Sequence, residues 1–236
     1  MLKKGLILVI LIAFGAIFLN LLSSFNGNSE LSDLSSYYAN NEPTEVGAAN
    51  LVTAIVVTYR GLDTLGEVVI LFLSAAIVSF LLKLTKSEED DETRNNELRP
   101  SSELLQTATK IFVPVIFMFG AYVFINGHLT PGGGFQGGAI IASGFVLLLL
   151  AKPNMKINHQ LISIIESISG VSFVIIGILG IALAGGFLDN NIIGLGTFGT
   201  LLSAGAIPII YIFVGLKVGS ELSSIVGTFN ETQKEN

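Results

Sequence analysis

The chain has 236 residues, 51% of them hydrophobic and 13% charged, with a mean hydropathy of +0.73; the charged share is roughly half the ~25% of a soluble domain, which marks an integral membrane protein. Cysteine is absent, excluding a disulfide framework and a thiolate metal site, and His128 and His159 do not make a metal site by themselves. The net charge of −6 owes much to one run, Glu88 to Glu92, read as a solvated loop.

Behind Lys3 and Lys4, residues Gly5 to Leu22 are almost uninterruptedly apolar, long enough at ~1.5 Å per residue to cross a hydrocarbon core of about 30 Å. No clear small-residue cleavage site follows, so an uncleaved helix is expected rather than a signal peptide. Ser23 to Asn50 holds Glu30, Asp33, Glu42 and Glu45 and no basic residue; it reads as an extramembrane loop with a short helix near Ser29 to Ala39.

Leu51 to Leu84 is too long for one upright span and is interrupted at Arg60-Gly61-Leu62-Asp63-Thr64. A short interfacial or re-entrant helix, a break at Arg60-Gly61, and a spanning helix capped by Asp63 are expected. On that helix Glu67 lies one turn beyond Asp63 on the same face. Arg60 is placed to reach either carboxylate, as a neutralised cluster pinning the break or as part of an acidic ion entrance. Lys86 to Ser102 is a charged linker.

Beyond it, apolar helices are expected at about Leu104 to Asn126, Gly138 to Ala151, Asn158 to Gly185 and Gly194 to Glu221. Pro114 and Pro208 fall inside two of them and should kink them or free a carbonyl. Small residues (Gly170, Gly177, Gly180, Ala184, Gly199, Ser203) allow close helix approach. The fold class is therefore all-α, a polytopic membrane protein with about six transmembrane helices. If six spans alternate, eleven of the twelve basic residues fall on one side and Arg60 alone on the other, which places both termini in the cytoplasm and the localisation at the cell membrane.

Between the second piece's first two helices lies GHLTPGGGFQGG, Gly127 to Gly138, with six of the 26 glycines. No Lys-Ser/Thr pair follows and no strand precedes, so a phosphate-cradling loop is rejected. The expectation is a tight turn: Pro131 fixes its opening, Gly132, Gly133 and Gly134 supply positive φ, and Gly134 and Gly138 offer a small-residue surface to a neighbouring helix. Phe135, Gln136 and Gly137 complete this docking motif, together with Arg60 and Gly61 at the other break. His128, beside the turn, is either a proton-handling group, since imidazole titrates near neutrality, or a loop-bonding one.

Glu166 lies about eight residues into its helix among apolar turns, where a carboxylate must be protonated, paired or wetted. Lys110 and Lys217 sit near the inner ends of their own helices. Either Glu166 pairs with one of them, or with a partner chain's base, on a proton or cation path, or it forms a structural ion pair or snorkels to the interface. The ion-path candidates are thus Glu166, Asp63, Glu67, His128, Lys110 and Lys217. No catalytic residue, metal, cofactor or nucleic-acid partner is expected.

GHLTPGGGFQGG with the AIIAS helix after it strongly resembles the signature of the B subunit of Mrp-type multisubunit cation/proton antiporters. VTYRGLDTLGEVVILFLSAAIV, Val57 to Val78, resembles the tail of that antiporter's large A subunit, a separate small subunit in membrane-bound hydrogenases and related ferredoxin-linked complexes. The resemblance implies a fused subunit: a tail-like piece over 1–86, a linker over 87–102, a four-helix B-like piece over 103–229 and a polar tail over 230–236. It implies that other subunits, the lipid bilayer, sodium ions and protons are its partners, in an antiporter or in a redox-driven complex that uses the same module. In that family the proton-conducting lysine and glutamate chains lie chiefly in the large subunits.

Overall fold

The structure, a computed structural model, describes residues 2–24, 30–86, 101–155 and 157–235. Among them every regular element is helical. Six helices are long and apolar enough to cross a membrane, as expected from the sequence. The linker from Ser87 to Pro100 lies outside the described residues, as does Ser29, where a short helix was expected to begin.

The chain divides into two compact units, Met1–Tyr37 and Tyr38–Asn236. The first holds α1 (Leu2–Ser24) and the opening of α2 (Asp33–Glu45). α1 is apolar on all sides and exposed along its length, a surface stable only against lipid or protein. α2 forms later in the chain than expected, running to Glu45.

In the second unit a short α-helical turn, α3 (Leu51–Thr53), passes into a π-helical segment, Ala54–Tyr59, which ends where the Arg60 amide bonds the Ile55 carbonyl. At ~1.5 Å per residue this stretch is far too short to span a bilayer. α4 (Gly61–Lys86) follows at once, so the break lies where Arg60-Gly61 predicted it. Asp63 sits in the first turn of α4 rather than capping it. Thr64 Oγ1 donates to the Val56 carbonyl at 2.5 Å, bonding across the break.

α5 (Glu103–Ile125) contains Pro114, as expected, and opens on Ser102, whose side chain accepts from the Leu105 amide. α6 runs Gly134–Ala151 and α7 His159–Leu183. α6 therefore begins four residues earlier than expected: Gly134, Gly137 and Gly138 are helical, and only Gly132 and Gly133 keep positive φ, 159° and 150°. The last helix differs most. Residues 193–206 form no helix, and α8 runs Ile207–Glu235. Pro208 thus stands in the first turn, where a missing N–H costs nothing and no kink follows. Gly199 and Ser203 lie in the loop, and the stretch read as a polar tail continues α8.

α8 is the axis of this unit and packs on α4, α5, α6 and α7. Its apolar window is 56% buried, against 11% for α4, so α8 supplies most of the interior. The core gathers Val57 and Val68, Phe173, Leu188, and Ile207, Ile210, Tyr211, Val214 and Val218. Gly215 and Gly219, one turn apart on α8, let α5 and α6 approach: a Cβ on Gly215 would meet Phe124 Cδ1 at 2.5 Å.

Candidate functional site

Lys217 lies one turn before Glu221 on α8, so both side chains face the same way. Their side chains meet in an ion pair, and Lys217 Nζ also bonds Glu166 Oε1 of α7 at 3.1 Å. Lys217 is 7% exposed and Glu221 is wholly buried. The ammonium stands 4.7 Å from the centre of the Phe72 ring on α4, a cation–π contact. A Cβ on Gly170 would lie 3.3 Å from Lys217 Cε, so α7 leaves just enough room for the lysine stem. Glu221 Oε2 has no hydrogen-bond partner among the described residues.

Two carboxylates thus share one ammonium inside a membrane-spanning bundle. Of the two bases proposed for Glu166 within this chain, Lys217 is the one it meets. Lys110 is exposed on α5 and has no ion-pair partner among the described residues. Glu221 went unnamed as a site residue in the sequence reading, which ended the last helix there. The Lys-x-x-x-Glu spacing within one helix was the available signal.

The glycine turn docks on the start of α3. Asn50 Nδ2 donates to the carbonyls of Gly127 and Thr130 at 2.8 and 2.9 Å, Thr53 Oγ1 donates to Gly127 at 2.7 Å, and the Asn50 amide bonds the His128 carbonyl. Tyr211 of α8 donates its hydroxyl to Thr53 Oγ1 at 2.9 Å. Gly133, with φ 150° and ψ −178°, occupies a region open essentially to glycine alone. A Cβ there would stand 3.2 Å from the Tyr211 ring and hydroxyl. A Cβ on Gly134 would lie 2.6 Å from Val214, and one on Gly137 2.6 Å from the Gly120 carbonyl of α5. Phe135 packs on the core, whereas Pro131 and Gln136 are exposed.

His128 is fully buried at this turn. Its Nε2 lies 3.3 Å from the Thr200 carbonyl, which can only accept, so Nε2 carries the hydrogen and Nδ1 is an acceptor without a partner among the described residues. Burial pushes the His128 pKa below the ordinary histidine value, against the surrounding carbonyls of Thr200, Ile125 and Leu201. Asn190, also fully buried, donates to Val46 and Ala204 at 2.8 and 3.1 Å and ties the 184–206 loop to the end of α2. Glu42 accepts from the Ala48 amide at 2.5 Å, and burial raises its pKa against that hydrogen bond.

At the other break Arg60 pairs with Asp63 at 2.5 Å, both half-exposed. Glu67 is exposed and joins no ion pair among the described residues. Gly61 is buried against Leu188. The two constellations are separate: Asp63 and Glu67 are not joined to Glu166 or Lys217 by any hydrogen bond or ion pair among the described residues. No group of three His, Asp, Glu or Cys side chains is arranged to hold a metal among them either.

Residues 104–224, just over half of the chain, match the family model of a domain related to the MnhB subunit of Na+/H+ antiporters. The chain belongs to this family. Residues 3–97 match a second family, the E subunit of MBH, so an MnhB-like subunit carries an MBH-type piece. An uncharacterised protein of Methanocaldococcus jannaschii is 29% identical over 198 residues, 74% of each chain. The B subunit of the Na+/H+ antiporter of Bacillus subtilis is 39% identical, over 38% of this chain and 57% of its own length.

Among solved structures, a chain of the membrane-bound sulfane sulfur reductase, an archaeal respiratory membrane complex, is 38% identical with a TM-score of 0.80, covering 97% of this chain and 98% of that one. A chain of the Mrp complex of a Dietzia species has a TM-score of 0.76 at 22% identity, over 97% of this chain and 26% of its own. That second likeness is one of fold.

Proposed function

We propose that this MnhB-like chain is a small membrane subunit of a multisubunit sodium/proton antiporter module and helps form its ion-translocating arm, doing no bond chemistry itself. The observation that carries this reading is the Glu166–Lys217–Glu221 cluster, because ionisable groups buried within spanning helices are costly and mark ion pathways. The chain is a fusion in this account: a tail-like piece to residue 86, a linker over 87–102, a B-like piece over 103–229, and a C-terminal segment over 230–236. The two family matches, over 3–97 and 104–224, support that division.

The Asn50–Thr53 contact with the glycine turn joins the two pieces, and in this account Arg60, Asp63 and Glu67 lie on the outer side of the membrane. There they line an acidic entrance, with Lys110 at the inner side. Purification of the complex by a tag on this chain, followed by reconstitution, tests the reading. Sodium-dependent proton movement is expected, and an active assembly with neither sodium nor proton movement counts against it.

A second reading has its own support: the chain is matched from end to end, both pieces included, by a chain of a sulfur-reducing respiratory complex. In that reading the same module is driven by redox chemistry on other subunits. Iron–sulfur absorbance and sulfane sulfur reduction by the purified assembly distinguish it from a stand-alone antiporter.

A further inference from the structure

Building on the transport reading above, we infer that the cluster is a proton-binding site and that Glu221 is the residue that holds the proton. Glu166 and Glu221 bring two negative charges to one positive charge, Lys217. Glu166 keeps 20% of its side chain exposed, while Glu221 has none. The excess charge is least tolerable on Glu221, whose Oε2 is buried without a partner.

Among the described residues no other basic side chain is paired with Glu221. On α8 Lys217 pairs with Glu221 while Glu231 pairs with His159 of α7, and Glu166 is the α7 carboxylate that meets Lys217. α6 carries no ionisable side chain; on α5 Glu103 and Lys110 are both exposed; on α4 Asp63 is held by Arg60, Glu67 is exposed, and the Phe72 ring faces the ammonium. An alkali cation is a poor occupant, since hard cations need several oxygen ligands, the Lys217 ammonium already bonds an oxygen of each carboxylate, and no group of three His, Asp, Glu or Cys side chains gathers there among the described residues. Ser220 and Ser223 turn their hydroxyls onto carbonyls of their own helix, at 2.6–2.9 Å. A proton needs none of these. It adds to Oε2, converts Glu221 to a neutral acid, and leaves Lys217 paired with one carboxylate, Glu166.

The charge count makes the test specific. In infrared spectra of the whole purified complex at neutral pH, the wild type shows the carbonyl stretch of one buried carboxylic acid from this cluster. Glu221→Gln removes it, and so does Glu166→Gln, because either change abolishes the excess charge. Lys217→Gln doubles it, since both carboxylates then need protons. Glu221→Asp shifts the band, whereas Glu166→Asp does not. Absence of the band in the wild type, its survival in Glu221→Gln, or a shift only in Glu166→Asp overturns the assignment. A complex that exchanges sodium for protons without the band removes this site and keeps the antiporter reading. A complex that shows the full pattern yet moves neither ion keeps the site and removes that reading.

Discussion

Gly138 lies on the face of α6 that meets α8. A Cβ there would stand 2.7 Å from the Gly215 carbonyl oxygen, 2.8 Å from Val218 Cβ and 2.9 Å from the Gly219 nitrogen. Optimal non-bonded contacts lie at about 3.5 Å or more, so Gly138→Ala forces the two helices apart by about 0.7 Å. Two of the three obstructing atoms are backbone and cannot rotate away. Overpacking of this kind costs about 1–3 kcal/mol, against a gain of about 1 kcal/mol from alanine's better helix propensity.

Because the backbone obstructions put the cost at the upper end, the expected net loss of about 2 kcal/mol corresponds to roughly 4–8 °C in Tm for a chain of this size. Two other glycines calibrate the measurement. At Gly144 the nearest atoms belong to the edge of the Phe117 ring, which can turn, and at Gly66 nothing lies within 4 Å. Thermal denaturation of the purified complex in mild detergent should therefore rank Gly66→Ala at or above the wild type, Gly144→Ala near it, and Gly138→Ala below it. A Gly138→Ala complex as stable as the wild type, or a Gly66→Ala complex damaged equally, would refute the idea that backbone contact between α6 and α8 sets their spacing.

Three further outcomes are expected. Lys217→Met leaves buried carboxylates without their cation and should cost about 3–5 kcal/mol at neutral pH; a triple variant that also turns Glu166 and Glu221 into glutamines should recover most of it in the same denaturation assay. Because burial lowers the His128 pKa, the unfolded chain binds a proton before the folded one does: the stability His128 contributes is intact above about pH 6.5 and falls as pH drops from there toward the lowered folded value. His128→Gln should flatten that part of the stability profile. Asn190→Ala strips donors from the buried carbonyls of Val46 and Ala204 and should cost about 1–3 kcal/mol, seen as faster proteolysis within the 184–206 loop.

The spans were legible because a bilayer imposes long apolar runs, and the break at Arg60-Gly61 because a charged, glycine-bearing interruption cannot continue inside one. Glu166 stood out for the same reason. Its partner did not: pairing with Lys217 rather than Lys110 depends on how α7 lies on α8, which sequence periodicity does not encode. The stretch from Gly194 to Ala206 is apolar and glycine-rich, so by hydropathy it reads as helix. The structure instead spends Gly196, Gly199 and Gly205 on positive φ and holds even Leu188 and Ala204 there, because Asn190 bonds the loop from within. Midway along α8, Ser220, Glu221 and Ser223 lie where the last helix was expected to end, yet all three are buried. Burial of polar residues is a tertiary fact, and missing it concealed one of the three members of the charge cluster.

The most direct measurement is sodium-driven proton movement across proteoliposomes holding the intact complex, with wild-type chain or with Glu221→Gln, whose amide keeps the shape of the protonated acid. The account predicts exchange by the wild type and a severe loss in an assembled Glu221→Gln complex. Equal exchange by the two would contradict it.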